Sequence, residues 1–112
     1  MTKYLISFED GSMTFPDEEL PDVARASMEV VEEARRAGVW VYGSGVIYPE
    51  ASVVGTDGSV THGPFSAGKE RIGGFSIIDV PTRNEAIAWA AKVAVACRCA
   101  QDVRELMDEP DI

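Results

Sequence analysis

One local pattern occurs twice in this chain. A short β-rich run, a helical stretch and a second β-rich run lie on each side of a hairpin signal at Asp57-Gly58. In the first copy Lys3–Phe8 reads as a strand, apolar and aromatic in character. Pro21 suits the first turn of a helix, and Leu20, Val23, Ala24, Val30, Val31 and Ala34 make one apolar stripe. Arg35 and Arg36 followed by Gly38 form a stop signal, so the first helix is expected over 21–37. Val39-Trp40-Val41-Tyr42 is β-branched and aromatic throughout, which predicts a strand covered on both faces and ended or bent by Gly43 and Gly45.

The second copy follows the hairpin. Residues 51–56 and 59–61 flank Asp57-Gly58, a dipeptide whose two residues tolerate the positive φ that tight hairpin turns require. Residues 62–74 carry four glycines and a proline, the composition of a shaped loop. Phe75–Val80 is a strand, and Thr82 with Glu85 has the spacing of a capping box. Ala86, Ala90 and Val93 share a helical face with Ile87 and Trp89 at its flanks, giving a second helix over 83–95. Residues 101–107 read as a last strand.

Two βαβ units joined by a hairpin specify an α+β, ferredoxin-like fold, with an antiparallel sheet and both helices on one face. At 112 residues there is room for a single domain over 1–112, which buries only about 65% of the surface of its unfolded chain. Apolar residues fall on both parities of the strands. The expected solution is a homodimer whose two sheets pack face to face.

Ten Lys and Arg against 19 Asp and Glu give a net charge of −9. No basic run is present to neutralise phosphates, so neither nucleic acid nor an anionic membrane is an expected partner. The opening apolar stretch is too short for a signal peptide, and no apolar run approaches the roughly 20 residues of a membrane span. With Cys97 and Cys99 too close together to staple a fold, the expected setting is a reducing cytoplasm.

Few residues carry chemistry on their own. His62 is the sole histidine and is the candidate catalytic acid or base, against a plainer reading as a residue at the end of a hairpin. Lys69, Glu70 and Arg71 are candidates to hold a substrate carboxylate or orient His62; a solvated loop or an ion pair at a dimer rim explains them equally simply. Asp79 shares the parity of Phe75 and Ile77 and is a further ligand-binding candidate, or else a cap for a loop or for the Thr82 helix start. Trp40 and Tyr42 are candidates to line an apolar pocket, or to pack in the core and interface. A Cys-x-Cys pair without a second pair does not make a four-ligand zinc site, and no disulfide is expected within it. The glycines match no phosphate-binding motif, so neither metal nor nucleotide cofactor is expected.

His62-Gly63-Pro64-Phe65, followed by Lys69-Glu70 and Gly73-Gly74-Phe75, resembles the DGPF-motif proteins of the YCII-related group, in the dimeric α+β barrel superfamily. The likeness extends through Arg36-Ala37-Gly38-Val39, the Asp57-Gly58 hairpin, Ile78-Asp79-Val80-Pro81, the helix from Glu85 to Ala90 and the closing Val103-Arg104. The resemblance implies a dimeric α+β barrel and, among several chemistries, ring dehydrochlorination run by a His–Asp pair. This chain departs from the motif at its aspartate, which His62 replaces, and at Ala67 and Gly68, where an acidic residue and a threonine are usual. Two functions follow as expectations. One is a small cofactor-independent lyase or isomerase, with His62 moving a proton on an apolar or aromatic metabolite. The other is a non-enzymatic dimeric module that binds a small ligand or a partner protein.

Overall fold

Alternation along the strands decides which side chains meet the helices, and the register makes the choice explicit. The structure is a computed structural model that describes residues 1–47, 51–63 and 71–108. Its elements are β1 (Thr2–Glu9), a 3₁₀ turn (Asp17–Glu19), α1 (Leu20–Arg36), β2 (Trp40–Gly45), β3 (Ser52–Val54), β4 (Val60–His62), β5 (Ile72–Val80), α2 (Arg83–Cys97) and β6 (Asp102–Glu105). Four of the strands form one sheet in the order β2-β5-β1-β6, with every neighbouring pair antiparallel. The expected α+β, ferredoxin-like arrangement is therefore present.

Tyr4 pairs with Ile78 and Ile6 with Ser76, so these four side chains share a face with Val80. Tyr4, Ile6, Ile78 and Val80 form the core with Ala86 and Ala90 of α2. Alanines on the inner face of α2 let its axis approach this part of the sheet closely. The helix begins where the Thr82 hydroxyl accepts from the Glu85 N–H at 3.2 Å. It runs two residues beyond the expected end and closes on Arg98, which takes the left-handed conformation at φ 58°. Cys97 is thus the last residue of α2, and both thiols are free.

α1 follows the expected stripe with an adjustment at its start. Val23 and Ala34 are buried and Val30 and Val31 half-buried, while Leu20 and Ala24 face solvent. Ion pairs outside the core tie the helical layer together, Lys92 to Glu33 at 2.6 Å and Arg98 to Glu19.

β2 differs from expectation in how its apolar run is covered. It continues through Gly43 to Gly45, carried by its ladder to β5, with an irregularity between Trp40 and Tyr42. Val39 and Trp40 of the apolar run are half-buried, Val39 against the core, while Val41 and Tyr42 are exposed. The hairpin forms where expected but stands apart as a two-stranded sheet of β3 and β4. Its turn is fixed by Gly58 at φ +85° and by the Asp57 carboxylate, which accepts from the Ser59 N–H at 2.9 Å. That bond, with the Ser59 side chain, holds the Asp57 carboxyl below its usual range. No helix among the described residues is long and apolar enough to cross a membrane.

A candidate ligand cavity between the helices and the sheet

Where the sheet carries glycine instead of a side chain, the helical layer leaves space. Gly43 and Ser76 are register partners, as are Gly45 and Gly74, so these positions lie side by side on the helix-facing surface. The Trp40 indole lies across Gly43, where a Cβ would meet its Cη2 at 2.6 Å. The Phe8 ring lies across Gly74 in the same way, also at 2.6 Å. A Cβ at Gly45 would meet nothing within 4 Å. The result is a cavity of about 290 Å³. Its floor is bare strand backbone and two aromatic rings; its walls include Val30 and Val31 of α1 and Val93 and Ala96 of α2.

The polar side chains among the described lining residues are uncharged. Ser27 of α1 and Cys97 of α2 face each other with Oγ and Sγ 3.6 Å apart. Gln101 donates to the Cys99 carbonyl at 3.3 Å and approaches the Cys99 sulfur at 3.5 Å. The Ser44 hydroxyl donates to the Gly45 carbonyl at 2.9 Å. Burial pushes the Cys97 thiol above its usual pKa, with the neighbouring Cys99 thiol adding to the shift and the bond to Ser27 opposing it. A thiol so placed keeps its proton at neutral pH and is a weak nucleophile.

Of the described residues singled out from sequence, most lie elsewhere. His62 is exposed at the end of β4, and its Nδ1 lies 2.7 Å from the Ser52 hydroxyl across the small sheet. Lys69 and Glu70 fall outside the described residues. Arg71 borders a separate hollow of about 190 Å³ with Ser7, Glu9 and Asp102. Asp79 does not cap α2. It sits on the sheet surface opposite the helices, level with Lys3, and its Oδ1 is buried without a hydrogen-bond partner among the described residues. Of the two pocket candidates Trp40 lines the cavity, whereas Tyr42 packs on the far surface of the sheet against Phe75, ring centroids 6.1 Å apart. Among the described residues no group of three or more metal-ligating side chains occurs.

In the sequence Phe8 and Gly45 signal only strand and strand end, and nothing marks Ser27 or Gln101 as cavity residues. Ser76 carried the one available signal, as a hydroxyl on the parity otherwise given by Ile78 and Val80.

A two-layer ferredoxin-like chain with a ligand-sized cavity under its helices describes the class, and comparison with known proteins supplies the family. Residues 2–108 match the model of the YCII-related domain. The chain belongs to the YCII-related family. No curated protein matches its sequence. Among solved structures it is similar to 5-chloro-2-hydroxyhydroquinone dehydrochlorinase from Burkholderia phenoliruptrix AC1100, in complex with 2,5-dihydroxybenzoquinone. The two share 15% identity over 96% of this chain and 95% of the other, with a TM-score of 0.54. That likeness establishes the fold.

Proposed function

We propose that this protein binds a small, uncharged, largely apolar ring compound in the cavity between helices and sheet, and works as a homodimeric ligand-binding module. The observation that carries this reading is the lining, which pairs two aromatic rings and bare glycine backbone with aliphatic walls and no ionised side chain among the described residues. Smaller apolar cavities, about 150 Å³, already hold benzene when lined by such side chains. The ring compound bound by the Burkholderia structure belongs to the same size class. A lyase or isomerase needs a group to move the proton, within hydrogen-bond reach of the ligand. His62 faces solvent on the small sheet, and the only titrating side chain among the described lining residues is a thiol that holds its proton. The binding reading is therefore the better supported of the two.

Toluene is a suitable first probe. The Trp40 indole lines the cavity, so its NMR signal, assigned in a Trp89→Phe background, should shift saturably on titration. Gly45→Leu projects a side chain into the open space and should remove that response while the far-ultraviolet circular dichroism stays unchanged. A Trp40 signal indifferent to toluene, or a folded Gly45→Leu protein that binds as before, would overturn the reading.

A further inference from the structure

One polar group in the cavity is left over after the others are paired. Ser27 and Cys97 face each other, Ser44 bonds to the Gly45 carbonyl, and Gln101 bonds to Cys99. Ser76 stands at the centre of the floor, between Ile6 on β1 and Gly43 on β2, and is 8% exposed. Its hydroxyl makes no hydrogen bond among the described residues. The hydroxyl stays open to the cavity, since among the described residues the buried side-chain polar atom without a partner is Asp79 Oδ1; Ser76 is therefore free to bond whatever fills the space, where an alanine or valine would offer no polar contact. Its neighbours on the same parity, Ile78 and Val80, are apolar as expected.

We infer that Ser76 is the polar anchor of the cavity and that the ligand it selects is a neutral ring bearing a hydroxyl or carbonyl oxygen, of the phenol or cyclic ketone class. This rests on the proposed ligand-binding reading and narrows it. A serine hydroxyl both donates and accepts, so it satisfies either kind of oxygen. The surroundings restrict the charge. No Lys, Arg or His lies among the described lining residues, so a ring carboxylate would be desolvated without a counter-charge, in a protein whose net charge is already −9. Trp40 and Phe8 offer ring faces and edges to the apolar part of the ligand, and Ser76 meets its oxygen from the floor.

Phenol and toluene have nearly the same shape and differ in one hydroxyl, which makes them the natural pair of probes. Both are titrated, together with benzoate, into the full chain and into Ser76→Ala, following the Trp40 indole signal. Loss of one neutral hydrogen bond predicts phenol binding about 3- to 10-fold weaker in Ser76→Ala. Toluene binding should be unchanged or tighter, which also shows that the variant is folded. Ser76→Cys, similar in volume and a weaker donor, should give a smaller loss for phenol. Benzoate should show no saturable binding at concentrations where phenol saturates.

If toluene binds but phenol is indifferent to Ser76→Ala, the anchor is overturned and the cavity reading stands. Equal weakening of phenol and toluene in both variants overturns the anchor too, because the effect is then one of packing. Benzoate binding as tight as phenol overturns the neutral class. Failure of toluene to bind the unsubstituted protein overturns the cavity reading and this inference with it.

Discussion

Cys97 stands at a cavity wall where a reactive thiol would have its greatest effect, yet its surroundings favour the protonated form. Burial is the leading cause, the Cys99 thiol works in the same direction, and the contact with Ser27 opposes both. The same imbalance links the residue to stability. A group whose pKa is raised on folding binds its proton more tightly in the native state. Its stabilisation is therefore complete below the unfolded thiol value, about 8.5, and is lost as pH rises through the folded value. Tyr4 adds a similar loss at more alkaline pH, its phenol raised by burial first and then by the negative charge of Glu105 across the ladder. Two outcomes are expected of the reduced protein. Iodoacetamide should alkylate Cys97 with a pH midpoint above that of a free thiol, read by peptide mass spectrometry. The thermal midpoint should fall between pH 8 and 10, and by less in Cys97→Ala. An alkylation midpoint at or below 8.5 would contradict the assignment.

At the scale of elements, local chemistry explains where the helices begin and end, whereas the extent of a strand depends on the partner it pairs with. The Thr82 cap and the periodic stripes were legible because each depends on residues within a turn or two. Replacing Thr82 with Ala should cost about 1 kcal/mol in chemical denaturation, and Ser at the same position should restore most of it; an unchanged midpoint would show that the cap is redundant. Gly43 and Gly45 leave an end or a bend open because glycine is a local breaker, and it is β5 that supplies the ladder carrying the strand to Gly45. The cavity was illegible for a related reason. It exists because glycines from β2 and β5 become neighbours in the register, leaving room for Trp40 and Phe8 to lie flat. Nothing within either strand alone announces that. His62 was conspicuous as the sole histidine, but rarity in a sequence does not place a side chain at a pocket. The β3–β4 pairing instead sets it beside Ser52, facing solvent.

The whole chain is a slab measuring 48 × 44 × 19 Å, with helices on one side of its main sheet. A compact monomer of 12.1 kDa exposes about 6,000 Å². This chain exposes 7802 Å², an excess of about 1,800 Å² over that scaling. Part of the excess belongs to the outlying hairpin, where Val54 and Val60 are exposed. Apolar surface also lies on the side of the sheet turned away from the helices. There Leu5, Phe75 and Ile77 are only partly covered and Tyr42 is 59% exposed, in one patch defined by the register. A typical dimer interface buries about 800 Å² per partner, so a second copy laid on this face would cover close to half of the surplus. It would also bring new polar groups towards Asp79, whose Oδ1 lacks a partner among the described residues. Sedimentation at micromolar concentration should therefore give twice the chain mass. Ile77→Asp places a charge at the centre of the patch, where desolvating it against a second sheet is strongly unfavourable. That variant should sediment as a monomer and unfold at a lower temperature, because the face it leaves open is apolar. Lys3→Gln, at the polar margin of the same face, should leave the dimer intact. A stable, folded species of single-chain mass in the unsubstituted protein would show that the patch is not covered by a second copy.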